Sequence, residues 1–257
     1  MADVDAVVPA VLTPAPEPGP APPAAAEAEM SLVDHLAELR DRLIRVILAV
    51  AIASSVGFIF GDQIVAVLKA PLPGGKPLFF TGLGDAFAIK LKIAIVVGVI
   101  LAMPVILFQV WRFIAPGLTA DERRIVRPWL PLAFVFFAIG TTIAYVILPF
   151  AAGFLIQFST VDLQPLITAG SYFDFVTTMF LAFGLIMEFP ILLFGLSRVG
   201  IVTSQRLVAA RRMAILGIAI FAAMITPGTD MVSPIALGGT MYLLFEGTIF
   251  FIRRTGK

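Results

Sequence analysis

The chain alternates between long apolar stretches and short polar ones from about residue 30 onward. Six stretches predict membrane helices, because a helix needs about 20 apolar residues to cross a bilayer. They run from Leu43 to Phe60, Ile93 to Trp111, Pro128 to Phe150, Phe175 to Ser197, Met213 to Thr226 and Pro234 to Ile252. We expect five glycines in these stretches to allow close helix contacts, namely Gly57, Gly98, Gly140, Gly184 and Gly217.

The composition agrees with an all-α membrane protein. Hydrophobic residues make up 60% of the chain and charged residues 14%, which is too apolar for a soluble domain of this length. We predict one membrane domain over residues 30–257. Residues 1–29 are rich in Ala and Pro and lack the basic start and apolar centre of a signal peptide, so we predict a disordered tail. Met30 is the predicted start of the functional chain.

The basic residues predict the orientation of the six helices. Fourteen of the 18 Lys and Arg residues fall on one side of the predicted spans, and the other four, Lys69, Lys76, Lys90 and Lys92, fall in the first long loop on the opposite side. Because basic residues accumulate in cytoplasmic loops, both termini are predicted to be cytoplasmic.

The scarcity of Cys and His excludes several kinds of site. The chain has no Cys, and its one histidine, His35, lies in a polar stretch before the first span. These facts argue against thiol chemistry, a His-ligated zinc or haem site and a Ser-His protease. Buried acids Glu188 and Glu246 have no His or Asp companion in their segments. We therefore predict no catalytic residue, no metal site, no cofactor and no enzymatic activity.

The fifth stretch is unusually short. Its roughly 14 residues would span about 21 Å, against about 30 Å of hydrocarbon. Either this is a buried helix whose ends are misjudged, or the bilayer is thinned around it. The sequence does not separate these explanations.

Glu188 lies inside the fourth stretch, where a carboxylate costs roughly 2.5 to 3.5 kcal/mol on insertion scales. One interpretation is a hydrogen bond to a neighbouring polar side chain such as Gln109 or Thr178. The other is a polar docking point for the membrane helix of a partner. Glu246 carries the same two interpretations, and its closeness to Arg253 favours a structural role.

Two further acids are predicted on the cytoplasmic side. Glu38 is spaced for an i, i+4 pair with Arg42, as Asp41 is with Arg45. Glu122 follows Thr119 by three residues, which is the spacing of a helix capping box. Alternatively, the carboxylates of Glu38 and Glu122 bind two guanidinium groups of a partner through paired hydrogen bonds.

Four segments resemble the TatC family, the multi-spanning core subunit of the twin-arginine, Sec-independent protein translocase. They are HLAELRDRL (His35 to Leu43), PVILFQVWRFIAPGLTADERR (Pro104 to Arg124), FGLIMEFP around Glu188 and YLLFE (Tyr242 to Glu246). The resemblance covers nearly all of residues 31 to 252. It implies a glove-shaped six-helix bundle in the bacterial cytoplasmic (inner) membrane. It also implies export of folded proteins that is driven by the protonmotive force.

The resemblance also implies functional residues and partners. Twin-arginine signal peptides of folded cargo would bind at Glu38, Arg40, Phe113 and Glu122. Glu188 would face a concave cavity, and with Gln109 and Thr226 it forms the predicted set of intramembrane polar residues for partner docking. The family commonly has Thr-Pro-Pro-Asp where this chain reads Thr226, Pro227, Gly228, Thr229, Asp230, which leaves the Asp230 match open.

The implied partners are the single-span subunits TatA and TatB, which would dock along spans five and six. Further copies of the chain would join it in the receptor complex, the lipid bilayer would surround it, and no nucleic acid is implied. A small-solute secondary transporter is the alternative function, because it too places an acid at mid-membrane. Such transporters are built from repeated halves, and residues 31–150 and 151–257 show no internal repeat.

Overall fold

The computed structural model describes residues 32–160, 162, 164–198, 200, 202–226 and 230–254. The predicted tail, Met30 and residues 227–229 of the turn after the fifth span lie outside this part of the chain. The described residues form α-helices joined by short connections, with two 3₁₀ turns at Pro73–Gly75 and Ala115–Gly117. The helices are α1 (Leu32–Ile59), α2 (Gly61–Lys69), α3 (Asp85–Ile114), α4 (Ala120–Val126), α5 (Trp129–Ile156), α6 (Ala169–Ile186), α7 (Phe189–Arg198), α8 (Ser204–Ala209), α9 (Arg211–Ile225) and α10 (Val232–Arg254).

The predicted all-α membrane architecture is confirmed. Five helical segments in the described residues are long and apolar enough to cross a bilayer: His35–Ile59, Asp85–Gly117, Trp129–Ile156, Ala169–Arg198 and Val232–Arg254. The fifth predicted span, Met213 to Thr226, corresponds to α9, which has 15 residues and so a length of about 22 Å. Most of its side chains are exposed, and Ile218 and Ala222 are its buried residues. Misjudged ends of a buried helix therefore do not explain its shortness.

The fourth span differs from the prediction of one helix from Phe175 to Ser197. It begins earlier, at Ala169, and it is broken at Met187 and Glu188 between α6 and α7. Pro190 explains the break, because proline has no amide hydrogen and its ring clashes with the carbonyl four residues earlier, that of Ile186. At the break the Glu188 N–H donates to the carbonyl of Leu185 at 3.1 Å, a tighter turn than that of an α-helix.

Helix α6 lies at the centre of the apolar core. Val176, Met179 and Phe183 are almost fully buried, and they belong to the same cluster as Leu148 of α5 and Leu237 of α10. Gly140 lets α5 approach this helix, because a Cβ there would lie 2.4 Å from the carbonyl oxygen of Phe183.

Helices α1 and α3 form a second tightly packed pair. A Cβ built at Gly98 of α3 would lie 2.7 Å from the backbone nitrogen of Ser54 on α1, so only glycine fits there without separating the helices. The predicted close contact at Gly217 of α9 is wrong, since nothing lies within 4 Å of a Cβ at that position.

Ion pairs tie α3 to its neighbours at the end away from the cytoplasm. Lys90 Nζ lies 3.1 Å from Asp62 Oδ1 of α2, and Lys92 pairs with Asp174 of α6. Nearby, Phe79 forms a single parallel bridge with Thr168, which joins the two long loops on this side. These contacts fix one end of α3 and leave its cytoplasmic end to meet α1.

Candidate functional site

Arg42 of α1 is buried where α1 and α3 meet near the cytoplasmic side, with 8% of its surface exposed. Its Nη1 donates to the side-chain oxygen of Gln109 on α3 at 3.4 Å, and Gln109 is buried as well. A buried guanidinium must be paired to offset its desolvation. Gln109 therefore serves α1 rather than Glu188, contrary to one interpretation of the sequence.

Glu38 lies one helical turn before Arg42 and supplies the counter-charge. Its Oε1 accepts hydrogen bonds from Arg42 Nε at 3.0 Å and from Arg42 Nη2. The predicted i, i+4 pair is confirmed. The other oxygen, Oε2, is buried without a hydrogen-bond partner among the described residues, and His35 Nδ1 lies 3.9 Å from it. One oxygen of this carboxylate is thus bound, and the other has no donor among the described residues.

Phe113 stacks on His35 and brings the end of α3 over the start of α1. The ring centroids are 4.4 Å apart and the planes meet at 19°. His35 was not predicted as a site residue, although its position three residues before Glu38 is a helical spacing that places both on one face. The structure thus groups His35, Glu38, Arg42, Gln109 and Phe113.

Arg40 is the exposed member of the predicted set. Its guanidinium donates to Asp41 Oδ1 from Nε at 3.1 Å and from Nη2 at 3.0 Å. Asp41 therefore pairs with Arg40 and not with Arg45, contrary to the expected spacing. Because both side chains are largely exposed, this pair contributes little to stability.

Glu122 forms the predicted capping box at the start of α4. Its Oε2 accepts from the Thr119 N–H at 2.9 Å, and its own N–H donates to Thr119 Oγ1 at 3.4 Å. Arg123 fastens the same loop, because its Nε and Nη2 donate to the carbonyl of Ala115 at 3.1 and 2.8 Å. The loop therefore presents Glu122 from a fixed turn.

Glu188 lies at the break between α6 and α7. Its Oε1 is buried, and no hydrogen bond to this oxygen is found within the described ranges. The expected bond to Gln109 or Thr178 does not form at this atom. A carboxyl oxygen without a donor at this depth is costly, so the structural interpretation of Glu188 loses its support.

Thr226 and Asp230 flank the turn between α9 and α10. Thr226 Oγ1 donates to the Ala222 carbonyl at 2.9 Å, which completes the end of α9. Asp230 is buried and its Oδ1 accepts from the Ser233 N–H at 2.5 Å, as an N-cap residue does. Its Oδ2 has no partner in the described part of the chain. The sequence left Asp230 undecided, although an acid three residues before a helical Ser is a capping signal.

Glu246 of α10 has a structural partner. Its Oε2 accepts from Arg211 Nη2 at 2.5 Å, which joins the start of α9 to α10. The partner is Arg211, whereas proximity in sequence had suggested Arg253. Among the described residues, no group of three or more His, Cys, Asp or Glu side chains is arranged to hold a metal ion.

Comparisons with known proteins agree with this fold. The family model of the Sec-independent protein translocase protein (TatC) matches residues 34–239. A TatC protein of Carboxydothermus hydrogenoformans is 35% identical over 226 residues, which cover 87% of this chain and 93% of the relative. TatC of Escherichia coli (strain K12) is 36% identical over 234 residues, covering 89% and 90%.

A crystal structure of the twin-arginine translocase receptor TatC in DDM is similar, with a TM-score of 0.75 and 33% identity over 85% of this chain and 99% of that one. The chain is a multi-pass membrane protein, and its bacterial homologues reside in the inner membrane. The matched proteins are translocase components, which agrees with the prediction that the chain is not an enzyme. The family match extends from α1 into α10, and the chain belongs to the TatC family of Sec-independent protein translocase proteins.

Proposed function

We propose that the chain recognises twin-arginine signal peptides where α1, α3 and α4 meet the cytoplasm, and that it nucleates the complex that exports folded proteins. Export would be driven by the protonmotive force. The observation that carries this proposal is the Glu38 carboxylate, which is held by Arg42 through one oxygen while the other has no donor among the described residues. A buried acceptor of this kind gains from an incoming guanidinium.

Arg42 acts in this proposal as a positioning residue. If it left Glu38 to make room for a ligand, its own charge would remain buried with only the weak contact to Gln109. The signal arginine therefore approaches Oε2, and it takes the place of the His35 imidazole on that side. Phe113, which stacks on His35, controls how far the imidazole moves.

Glu122 supplies the second carboxylate of the proposed site. Its capping box fixes the side chain on a rigid turn, and this reduces the ordering cost of binding. Arg40, exposed on the first turns of α1, completes the set. Two carboxylates for two arginines explain a preference for Arg over Lys, because the planar fork binds a carboxylate through two hydrogen bonds.

The test is export of a folded reporter in a bacterium without its own TatC, supplied with this chain and its cognate small subunits. A reporter with an Arg-Arg signal would be exported, one with Lys-Lys would not, and Glu38→Gln with Glu122→Gln would abolish export of the former. Asp62→Asn, which removes an acid at the opposite membrane face, serves as the matched control. Equal export of both signals would contradict the proposed site.

Docking of TatA and TatB is proposed at α9, α10 and the break at Glu188. The outward faces of both helices carry exposed apolar side chains, among them Met213, Met224 and Leu243. Glu188 offers a polar group that a partner helix can satisfy. Thr226 and Gln109, the other polar residues of the predicted set, are buried and bonded within the chain, to the Ala222 carbonyl and to Arg42, so the proposed docking does not use them. Further copies of the chain would join the receptor complex.

The transporter alternative gains no support from these observations. The family assignment is to a protein translocase, and the polar cluster around Arg42 and Glu38 lies at the cytoplasmic ends of the helices rather than at mid-membrane.

A further inference from the structure

An open cleft of about 590 Å³ lies where α4 ends and α5 begins. Three arginines and two prolines line it together with Ala120, namely Arg123, Arg124, Arg127, Pro128 and Pro131. The cleft is distinct from the Glu38 and Arg42 cluster, and the proposed function makes no use of it. Its lining thus combines basic and apolar side chains.

The arginines of the cleft carry charge that the described residues do not neutralise. Arg124 and Arg127 are exposed, and neither forms an ion pair within the described part of the chain. Nε and Nη2 of Arg123 both donate to the Ala115 carbonyl. These hydrogen bonds fix the guanidinium but do not neutralise its charge. Of the neighbouring acids, Glu122 is engaged in the capping box, and the Asp121 side chain lies outside the described atoms. Even with Asp121 and Glu122 counted, the three arginines leave residues 121–127 with a net positive charge, which favours an anionic ligand.

An apolar track leads away from the cleft along α5. Leu132, Phe134 and Val135 are 37%, 42% and 48% exposed, whereas Ala133 and Phe137 face the bundle. The exposed side chains begin one residue after Pro131 and continue towards the middle of the bilayer. A ligand with an anionic head and apolar tails would thus contact both surfaces at once.

The position of the cleft selects the ligand class. The arginine-rich side of the protein is cytoplasmic, so the cleft lies at the headgroup level of the inner leaflet, where anionic lipids attract basic residues. A phosphodiester accepts two hydrogen bonds from each guanidinium fork. We propose that Arg123, Arg124 and Arg127 bind the phosphate headgroup of an anionic phospholipid, whose acyl chains lie along the exposed face of α5.

This site would act on the neighbouring loop. Arg123 lines the cleft and also donates to the Ala115 carbonyl, in the loop that leads to the Thr119 and Glu122 capping box. A bound lipid headgroup holds α4 against the membrane surface. It thereby limits the positions that the Glu122 side chain adopts.

The experiment is native mass spectrometry of the full chain in detergent, titrated with phosphatidylglycerol or phosphatidylcholine. Arg124→Gln with Arg127→Gln is the test variant, because Arg123 also holds the loop. Arg253→Gln with Arg254→Gln is the matched control, since it removes the same charge from exposed positions on the same side. We expect the test variant to lose phosphatidylglycerol affinity by about tenfold or more, and the control to retain it.

Each alternative has its own outcome. Equal losses in both variants would mean that the cytoplasmic face attracts anionic lipid without a site, and this would overturn the proposal. Displacement of phosphatidylglycerol by millimolar inorganic phosphate would indicate a phosphate site without lipid specificity, which also overturns it. Similar affinity for phosphatidylcholine and phosphatidylglycerol would show that the arginines do not select an anionic headgroup, and this would also overturn the proposal. Arg127→Gln alone replaces the test variant if the double variant fails to fold.

Discussion

Arg42 holds the Glu38 carboxylate through Nε and Nη2, one helical turn away on α1, so the chain already contains a guanidinium-carboxylate contact of the kind that a signal arginine would make. This internal pair leaves Glu38 Oε2 without a donor among the described residues. In the proposed site, this geometry sets the direction from which the guanidinium of a signal peptide would approach Oε2.

Replacing Arg42 should therefore damage both the fold and the site. Arg42→Gln removes the hydrogen bonds to Glu38 Oε1, and we expect a loss of about 1.5 to 3 kcal/mol in the free energy of unfolding. Arg42→Lys keeps the charge but loses the fork, so signal-peptide affinity should still fall. Thermal unfolding in detergent and titration with a labelled signal peptide measure the two effects.

Arg40→Gln is the comparison for stability. Because Arg40 is exposed and pairs with exposed Asp41, its loss should cost less than about 1 kcal/mol. Equal destabilisation by Arg40→Gln and Arg42→Gln would show that burial of the Arg42–Glu38 pair does not increase its contribution to stability.

Gly98→Ala should destabilise the packing of α1 on α3. The new Cβ would lie 2.8 Å from Ser54 Cα, and overpacking of this kind costs about 1 to 3 kcal/mol. Gly217→Ala is the matched control within another helix, because nothing lies within 4 Å of its Cβ. The control should be neutral or stabilising by up to about 1 kcal/mol. Thermal unfolding of the two variants is the measurement. If Gly98→Ala unfolds at the same temperature as the unaltered chain, the close approach of α3 to α1 at Ser54 is refuted.

Glu188→Ala and Glu246→Ala should have opposite effects. Glu188 Oε1 is buried and accepts no hydrogen bond from the described residues, so its loss should raise the melting temperature slightly, while crosslinking to partner helices and export decline. Glu246→Ala breaks the pair with Arg211 and should lower the melting temperature. Unaltered crosslinking and export in Glu188→Ala would rule out its docking role.

Asp230→Ala should weaken the start of α10. The carboxylate accepts from the Ser233 N–H, and removing such a cap costs about 0.5 to 2 kcal/mol. Asp230→Asn keeps an acceptor at the same place and should retain most of the stability. If both variants unfold at the same temperature as the unaltered chain, the cap is unimportant.

The sequence predicted the helices because their apolar stretches are long and continuous. It also predicted the Glu38–Arg42 pair and the Thr119–Glu122 capping box, which are local contacts within one helix or turn. It did not predict the partner of Gln109 or the stack of His35 on Phe113, because these depend on the register of α1 against α3. Residues 67 apart in sequence, such as Arg42 and Gln109, carry no local signal of contact.

The break between α6 and α7 was not predicted, for a different reason. The apolar pattern from Phe175 to Ser197 is uninterrupted apart from Glu188, so hydropathy predicts one helix. Pro190 was visible, yet Pro104 and Pro149 lie inside the continuous helices α3 and α5. A proline alone therefore does not decide whether a membrane helix breaks, and neighbouring packing determines the outcome.

The break at Glu188 has a consequence for solvation. Pro190 has no N–H to offer the Ile186 carbonyl, and Glu188 Oε1 has no hydrogen-bond donor among the described residues, so the break carries acceptors that the helix itself does not satisfy. Unpaired acceptors in hydrocarbon cost several kcal/mol each. We expect water molecules to enter the bundle here whenever no partner helix covers the break, which would make this the most hydrated depth of the fourth span.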